Sequence, residues 1–254
     1  MIFVTGDTHG DHDRYKIDQH SWPEGQGLTR NDILVICGDF GALWSGDARD
    51  EEILRWYECQ PWTTLFVDGN HENFDLIEEL PVSTRFGGRV HTIPGYPHVI
   101  HLMRGEVYDL PVSASKTVRA FVMGGAPSVD ADCRIPGLTW WSAEMPDYEE
   151  YDNAQRNLER VGWSVDYVFT HEVPRDGKED ALAWNDDYYD DDDVYDADPV
   201  QDELADFLQR VDDRLNKKRL KMWYAGHYHV DCEIMDDQHC VLYEQVVELG
   251  VAPF

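Results

Sequence analysis

Two stretches decide the fold, Ile2-Phe3-Val4-Thr5-Gly6-Asp7-Thr8-His9-Gly10 near one end of the chain and Met222-Trp223-Tyr224-Ala225-Gly226-His227-Tyr228-His229 near the other. In each, an apolar run typical of a buried strand ends at a glycine, which lets the chain turn sharply. The residues after the turn carry carboxylate and imidazole groups, which bind divalent metals. Because ligands of open α/β sheets collect beyond the carboxyl ends of the strands, the two stretches predict one shared metal site.

Three further apolar runs end in the same kind of residue. They are residues 32–37, 63–67 and 166–170, and they lead into Gly38-Asp39, Gly69-Asn70-His71-Glu72 and His171. One such ending is common by chance, whereas five in a single chain are not. The pattern therefore predicts that several strand ends contribute to the same metal site.

The helices are predicted from apolar residues that recur on one face. They cover residues 47–59, with Asp47 as the candidate cap, and residues 73–80 and 147–161; a fourth helix begins at Pro199. Glycine and proline divide residues 87–110 into short antiparallel strands, and residues 230–249 read as two or three closing strands. We see no linker and no internal repeat, so a single domain over residues 1–254 is expected.

The five motifs together resemble those of the calcineurin-like metallophosphoesterases, and the resemblance spans residues 2–229. It implies a four-layer α/β/β/α sandwich with a dinuclear metal centre. Asp7, His9 and His229 would hold one metal, Asn70, His171 and His227 the other, and Asp39 would bridge the two. The donors are nitrogen and oxygen without thiolate, which favours two manganese ions, with Fe, Zn, Ni and Co as alternatives.

The function implied by this resemblance is hydrolysis of phosphate mono- or diesters by a hydroxide that bridges the two metals. Two cations neutralise the charge of the ester and lower the pKa of the bridging water. His71 matches the family's histidine that is not a ligand, and it would protonate the leaving alkoxide or stabilise a phosphoryl oxygen. Asn70 would also contact the substrate.

Two alternative functions stay open. One is a nuclease that acts on nucleic-acid ends, and the other is a non-catalytic, metal-containing binding module. A docking surface has no need of His71, which disfavours the module. The net charge of −30 disfavours a groove for duplex nucleic acid, because binding to phosphates depends on Lys and Arg. A small phosphate ester is the expected partner, and the sequence leaves the natural substrate and the oligomeric state open.

The motif that follows the second strand departs from one branch of the family. Phosphoprotein phosphatases carry G-D-x-x-D-R-G there, whereas this chain reads Gly38-Asp39-Phe40-Gly41-Ala42-Leu43-Trp44. The aspartate that orients the catalytic histidine in that branch and the arginine that grips phosphate are both missing. This departure argues against a dedicated Ser/Thr protein phosphatase. Glu72 either replaces the orienting aspartate or is an acid at the start of a helix.

Three other features carry two readings each. Arg134 is a candidate substrate clamp, or it pairs with Asp130 or Asp132. Trp140-Trp141 stacks on a base or sugar, or it packs in the core, which is the favoured reading. The acidic stretch at 186–198 is a solvated, mobile loop, and a cation-binding tract is the disfavoured alternative.

The compartment is inferred from what the sequence lacks. No apolar run approaches the length of a membrane helix, and the N-terminal strand has no basic segment before it, so we expect neither a membrane anchor nor a secretory signal. The five cysteines show no C-x-x-C pair and are expected to be buried, reduced thiols. A cytoplasmic protein is therefore predicted.

Overall fold

The computed structural model describes residues 1–184 and 203–251. Its strands are β1 (Ile2–Thr5), β2 (Ile33–Cys37), β3 (Thr63–Val67), β4 (Val82–Arg85), β5 (Gly88–Ile93), β6 (Tyr96–Leu102), β7 (Val107–Ser113), β8 (Lys116–Met123), β9 (Tyr167–Thr170), β10 (Met222–Ala225), β11 (Cys232–Glu233), β12 (His239–Val241) and β13 (Val247–Glu248). Its α-helices are α1 (Ala48–Cys59), α2 (Phe74–Glu78), α3 (Tyr148–Arg160), α4 (Lys178–Ala183) and α5 (Glu203–Arg214). Short 3₁₀ helices lie at Arg14–Ile17, Pro23–Gly27, Ala131–Cys133, Ser142–Glu144 and Arg175–Gly177.

The strands form two mixed sheets. The first has the order β13-β1-β2-β3-β6-β5-β4, and the second has the order β11-β12-β10-β9-β8-β7. Strands β1, β2, β3 and β6 run parallel to one another, and so do β8, β9, β10 and β12. Antiparallel strands flank each parallel group. The strands that precede the five motifs are therefore neighbours within the two parallel groups.

Alternation along the strands produces the layers. Val4 and Val35 of the first sheet pack with Val122 and Phe169 of the second, which forms a core between the sheets. Residues of the opposite parity, such as Phe3, pack on the outer face of the first sheet with α1. The outer face of the second sheet packs against α3 and α5 in the same way. The predicted four-layer α/β/β/α sandwich is thus confirmed.

Local signals place the helix starts. Asp47 accepts a hydrogen bond from the amide of Arg49, as expected for the cap of α1. Asp147 and Glu150 form a reciprocal capping box at α3. The helix predicted after Pro199 is described from Glu203, and the acidic stretch at 186–198 lies outside the described residues.

One strand was not predicted, and one expectation is wrong. Strand β4 follows Pro81 at a sheet edge, and its four residues are all exposed, so it has no apolar alternation by which a sequence reveals a strand. All five cysteines are free, but Cys59 and Cys133 are exposed and only the other three are buried. Among the described helices, none is both long enough and apolar enough to cross a bilayer.

Candidate functional site

The site lies where the carboxyl ends of the parallel strands of both sheets meet. The loops after β1, β2 and β3 approach those after β9 and β10, and two glycines allow this approach. A Cβ atom on Gly38 would lie 1.9 Å from Nδ1 of His171, and one on Gly69 would lie 2.1 Å from Oδ1 of Asp39. No side chain fits at either position, so these glycines let the ligand loops touch.

The first group of candidate ligands is compact. Asp7, His9, Asp39 and His229 each offer a donor atom, and these four atoms lie within 4.8 Å of one another. Nε2 of His9 is 3.2 Å from Oδ2 of Asp39, and Nε2 of His229 is 3.1 Å from Oδ2 of Asp7. A divalent cation with nitrogen and oxygen ligands suits this donor set.

A second group borders the first through Asp39. Nε2 of His171 lies 3.1 Å from Oδ1 of Asn70 and 3.4 Å from Oδ1 of Asp39. The ring centroid of His227 is 4.9 Å from that of His171. Asp39 therefore turns one oxygen toward His9 and the other toward His171.

One buried atom tests whether these residues fit a cation. Asp7 is fully buried, and its Oδ2 accepts no hydrogen bond within the described chain. The 3.1 Å approach of His229 to this oxygen is not aligned as a hydrogen bond. A buried carboxylate oxygen without a donor is costly unless a cation faces it, so the donor set fits a metal.

The backbone at the site is strained. Four residues other than glycine have left-handed φ angles: His9 (41°), Asp39 (44°), His227 (72°) and His229 (52°). Such conformations persist where surrounding contacts enforce them, and they cluster at functional sites. Here the carbonyl of Asp39 accepts the amides of Thr8 and His9, and Oδ1 of Asp7 accepts the amide of His227.

The charges of the site favour a cation. Burial alone would raise the pKa of Asp7, but His171, His229 and His9 together outweigh this effect and lower it to about 2. Burial would lower the pKa values of His9 and His171, but nearby carboxylates raise them to about 11 and about 10. Burial lowers the pKa of His227 to about 4. Protons on His9 and His171 thus balance the carboxylates where a metal would otherwise do so.

Outer contacts orient two of the histidines. Nδ1 of His9 lies 2.6 Å from Oδ2 of Asp13, and Nδ1 of His171 lies 2.9 Å from the carbonyl oxygen of Cys37. In each contact Nδ1 donates its proton to the oxygen, and Nε2 faces the site, as is usual for metal-binding histidines. Asp13 was missed in the sequence, where its only signal is a position four residues after His9.

The amide of Asn70 is oriented by a chain of hydrogen bonds. Its Nδ2 donates to Oγ of Ser128 at 3.1 Å, and Ser128 donates in turn to Oε2 of Glu144 at 2.6 Å. The other carboxylate oxygen of Glu144 accepts the amide of Ser128 at 2.8 Å. Because an amide nitrogen can only donate, this chain fixes Oδ1 of Asn70 toward His171. No sequence motif had indicated Ser128 or Glu144.

The guanidinium of Arg134 contacts both Asp130 and His71, and the role of substrate clamp stays a prediction. Its Nε pairs with Asp130 at 2.7 Å, whereas no ion pair with Asp132 is found among the described residues. Its two terminal nitrogens lie 3.3 and 3.2 Å from Nδ1 and Nε2 of His71. Burial lowers the pKa of His71 below its usual range, and the guanidinium of Arg134 adds to the effect.

Two further expectations can be judged from contacts. The carboxyl group of Glu72 accepts the backbone amides of Phe40 (2.7 Å) and Gly41 (3.2 Å), and Asn73, not Glu72, caps α2. Glu72 thereby holds the loop that carries Asp39. Trp141 is buried and its Nε1 donates to Asp75 at 2.8 Å, which agrees with core packing.

A family model described as calcineurin-like phosphoesterase matches residues 1–231. The chain belongs to this family. The resemblance that the five motifs indicated is confirmed, and phosphate-ester hydrolysis is the chemistry for which calcineurin-like phosphoesterases are named. The tail beyond residue 231 still reaches the site, because Tyr243 stacks on His229 with ring centroids 4.6 Å apart.

Two solved structures are similar to this chain at low sequence identity. A protein from Staphylococcus aureus, described as a 5′-nucleotidase in complex with α-ketoglutarate, is 13% identical with a TM-score of 0.50. The match covers 95% of this chain and 48% of that one, so this chain spans about half the length of that protein. A phosphopantetheinyl hydrolase from Mycobacterium tuberculosis is 12% identical with a TM-score of 0.45, and the match covers 95% and 87% of the two chains. A search of the curated proteins found no significant match.

Proposed function

We propose that this calcineurin-like phosphoesterase hydrolyses mono- or diesters of phosphate with small alcohols at a dinuclear metal centre. The observation that carries the proposal is the position of Asp39 between two groups of donor atoms, 3.2 Å from His9 through one oxygen and 3.4 Å from His171 through the other. A carboxylate has two oxygens and can serve two cations, whereas an imidazole or an amide serves one.

Two divalent ions would supply positive charge for the phosphoryl oxygens and an activated water, and we favour manganese for both ions. The chain's own residues do the remaining work. Asp7, His9 and His229 would hold one ion, and Asn70, His171 and His227 the other. Arg134, which is tethered by Asp130, would direct its guanidinium to a phosphoryl oxygen.

His71 is placed for proton transfer to the leaving alcohol. Its backbone amide donates to Oδ1 of Asp39 at 2.7 Å, so the position of its imidazole is tied to the bridging carboxylate. A phosphate ester next to the imidazole would counter the effect of Arg134 and raise the pKa of His71. The protonated imidazole would then supply the proton that a poor leaving group needs.

The surface charge argues for small substrates. A chain with a net charge of −30 repels duplex nucleic acid at long range, whereas a small ester reaches a local cationic centre. A nuclease acting on single-stranded ends and a metal-containing binding module remain the competing functions, and one assay separates all three.

The test uses metal-free protein reloaded with Mn, Ni, Zn or Mg. We expect two metal ions per chain and hydrolysis of an aryl monoester, an alkyl diester or a cyclic nucleotide, with little action on an oligonucleotide. Asp39→Asn should lose metal and activity together, and Asp109→Asn is the matched control because that carboxylate is half exposed and pairs with Arg119. Saturation at one ion would contradict the dinuclear centre, and full loading without hydrolysis would favour the binding module.

A further inference from the structure

A cavity opens beside His71 on the side of the site formed by the loops after β1 and β2. Its volume is about 300 Å³, and its lining residues include His9 and His71. Trp44 and Ile53 form apolar walls, and Arg49 lies among its lining residues. Ligand pockets range upward from about 300 Å³, so this cavity has room for one ring-sized group and not for a macromolecular segment.

The indole of Trp44 is held in place before any ligand binds. The amide of Trp44 donates to Oδ2 of Asp50 at 2.7 Å, and its carbonyl accepts Nδ2 of Asn73 at 2.8 Å. Its ring packs edge-on against Trp141, with centroids 5.6 Å apart and an interplanar angle of 79°. Trp141 is in turn anchored to Asp75. A rigid aromatic wall loses little conformational entropy when a flat ring packs on it.

The charges around the cavity are already paired. Arg49 lies 2.9 Å from Asp11, and the carboxylate of Asp50 accepts the amides of Trp44, Ser45 and Gly46 at 2.7–2.8 Å. Among its described lining residues, no cation is left to neutralise a second anionic group on the ligand. A carboxylate or second phosphate in this cavity would face Asp50 without a counter-ion.

We infer that this cavity binds the alcohol portion of the ester, and that the preferred alcohol is uncharged and carries one flat ring that packs on Trp44. The inference rests on the proposed function, in which His71 gives a proton to the leaving oxygen. Because His71 and Trp44 both line the cavity, the leaving alcohol would extend from that histidine toward Trp44. Arg134 contacts the same imidazole but is not among the residues that line the cavity, so the phosphoryl group would lie toward Arg134.

The test compares benzyl, propyl and 4-carboxybenzyl phosphate with the manganese-loaded protein. All three are esters of primary alcohols, so their leaving groups differ little in basicity. They differ in whether the alcohol carries an aromatic ring and whether it carries a negative charge. An aromatic contact contributes about 2- to 12-fold. We expect kcat/KM for the benzyl ester to exceed that for the propyl ester by this factor, and the carboxybenzyl ester to fall below the benzyl ester. The matching methyl diesters are assayed in parallel, in case the enzyme prefers diesters.

Variants of Trp44 test whether its indole is the surface on which the ring of the alcohol packs. Trp44→Ala should lower kcat/KM for the benzyl ester more than for the propyl ester, so that the ratio of the two falls toward one, whereas Trp44→Phe should retain most of the preference. Trp184→Ala, at an exposed tryptophan outside the cavity, is the matched control and should change neither rate. Metal content and melting temperature are measured for each variant. If Trp44→Ala unfolds, the comparison rests on Trp44→Phe and on Trp44→Leu, which keeps an apolar side chain without a ring.

A binding measurement separates this inference from the proposed function. Benzylphosphonate and propylphosphonate cannot be hydrolysed at the P–C bond, and calorimetry measures their affinities for the loaded protein. Tighter binding of the benzyl compound that depends on Trp44, without hydrolysis of any ester, would keep the cavity assignment and overturn the enzyme. Hydrolysis with equal rates for benzyl and propyl esters, or a preference that Trp44→Ala leaves intact, would overturn the cavity assignment and keep the enzyme.

Discussion

Replacing Ser128 by alanine should weaken one metal site and spare the other. Ser128 is 2% exposed, and its hydroxyl is the acceptor that fixes the amide of Asn70. Without it the amide is free to rotate, and Nδ2 can then face the metal instead of Oδ1. Only the site formed by Asn70, His171 and His227 uses this amide, so the effect should be confined to that site.

The magnitude follows from the contacts. Loss of an outer partner of a metal ligand costs about 10- to 100-fold in affinity, or about 1.4–2.8 kcal/mol. The fold should also lose about 1.5–3 kcal/mol, because the buried carboxylate of Glu144 loses a charge-assisted hydrogen bond of 2.6 Å. Ser128→Thr keeps a hydroxyl and should restore most of the metal affinity.

The assay is a manganese titration followed by calorimetry and by the electron paramagnetic resonance signal of free manganese. Thr64→Val is the matched control, because Thr64 is a fully buried hydroxyl on β3 that accepts Nε1 of Trp62 at 3.2 Å and lies away from the site. It should lose stability but keep both metals. Two wild-type affinities in Ser128→Ala would refute the orienting role, and an equal loss at both sites would show that the damage is global.

Three other outcomes are expected. His71→Ala should keep both metals and lose about 10²- to 10⁴-fold with alkyl esters but much less with a nitrophenyl ester; equal losses, measured by steady-state kinetics, would rule out proton donation. Because the pKa values of His9 and His171 are raised to about 11 and about 10, both rings carry protons in the metal-free protein at pH 7. Metal binding should therefore release about two protons, and the metal affinity should rise as pH rises through neutrality. Calorimetry in buffers of different ionisation enthalpy measures this release, and finding none would contradict the prediction. Arg104→Met should destabilise the fold by about 3–5 kcal/mol in urea, because it removes the guanidinium from Asp68, whose side chain is 1% exposed, and leaves His101 as its ion-pair partner; a loss below about 1 kcal/mol would mean that the pair is not buried in solution.

The sequence by itself predicted the layers of the fold and named the candidate metal ligands. Phe3 and Val4 of β1 point to opposite faces of the sheet, and both are apolar. Each face of the sheet therefore needs a covering layer, which predicts a multilayer α/β fold. The ligand residues follow parallel strands directly. Parallel strands present their carboxyl ends at one edge, so local sequence was enough to group Asp7, Asp39 and Asn70.

Only the tertiary structure decided how those ligands are held and what lies beside them. Ser128 and Glu144 reach Asn70 across 58 residues of sequence or more, and the carbonyl of Cys37 reaches His171 across 134. Which residues become such partners depends on how the two sheets pack together, and no local sequence pattern indicates it. The same holds for Trp44, because its indole lines the cavity and packs against Trp141, which lies far from it in the sequence. Hydrophobic periodicity fixes which face of an element is buried, whereas single hydrogen bonds between distant loops depend on the final distances between them.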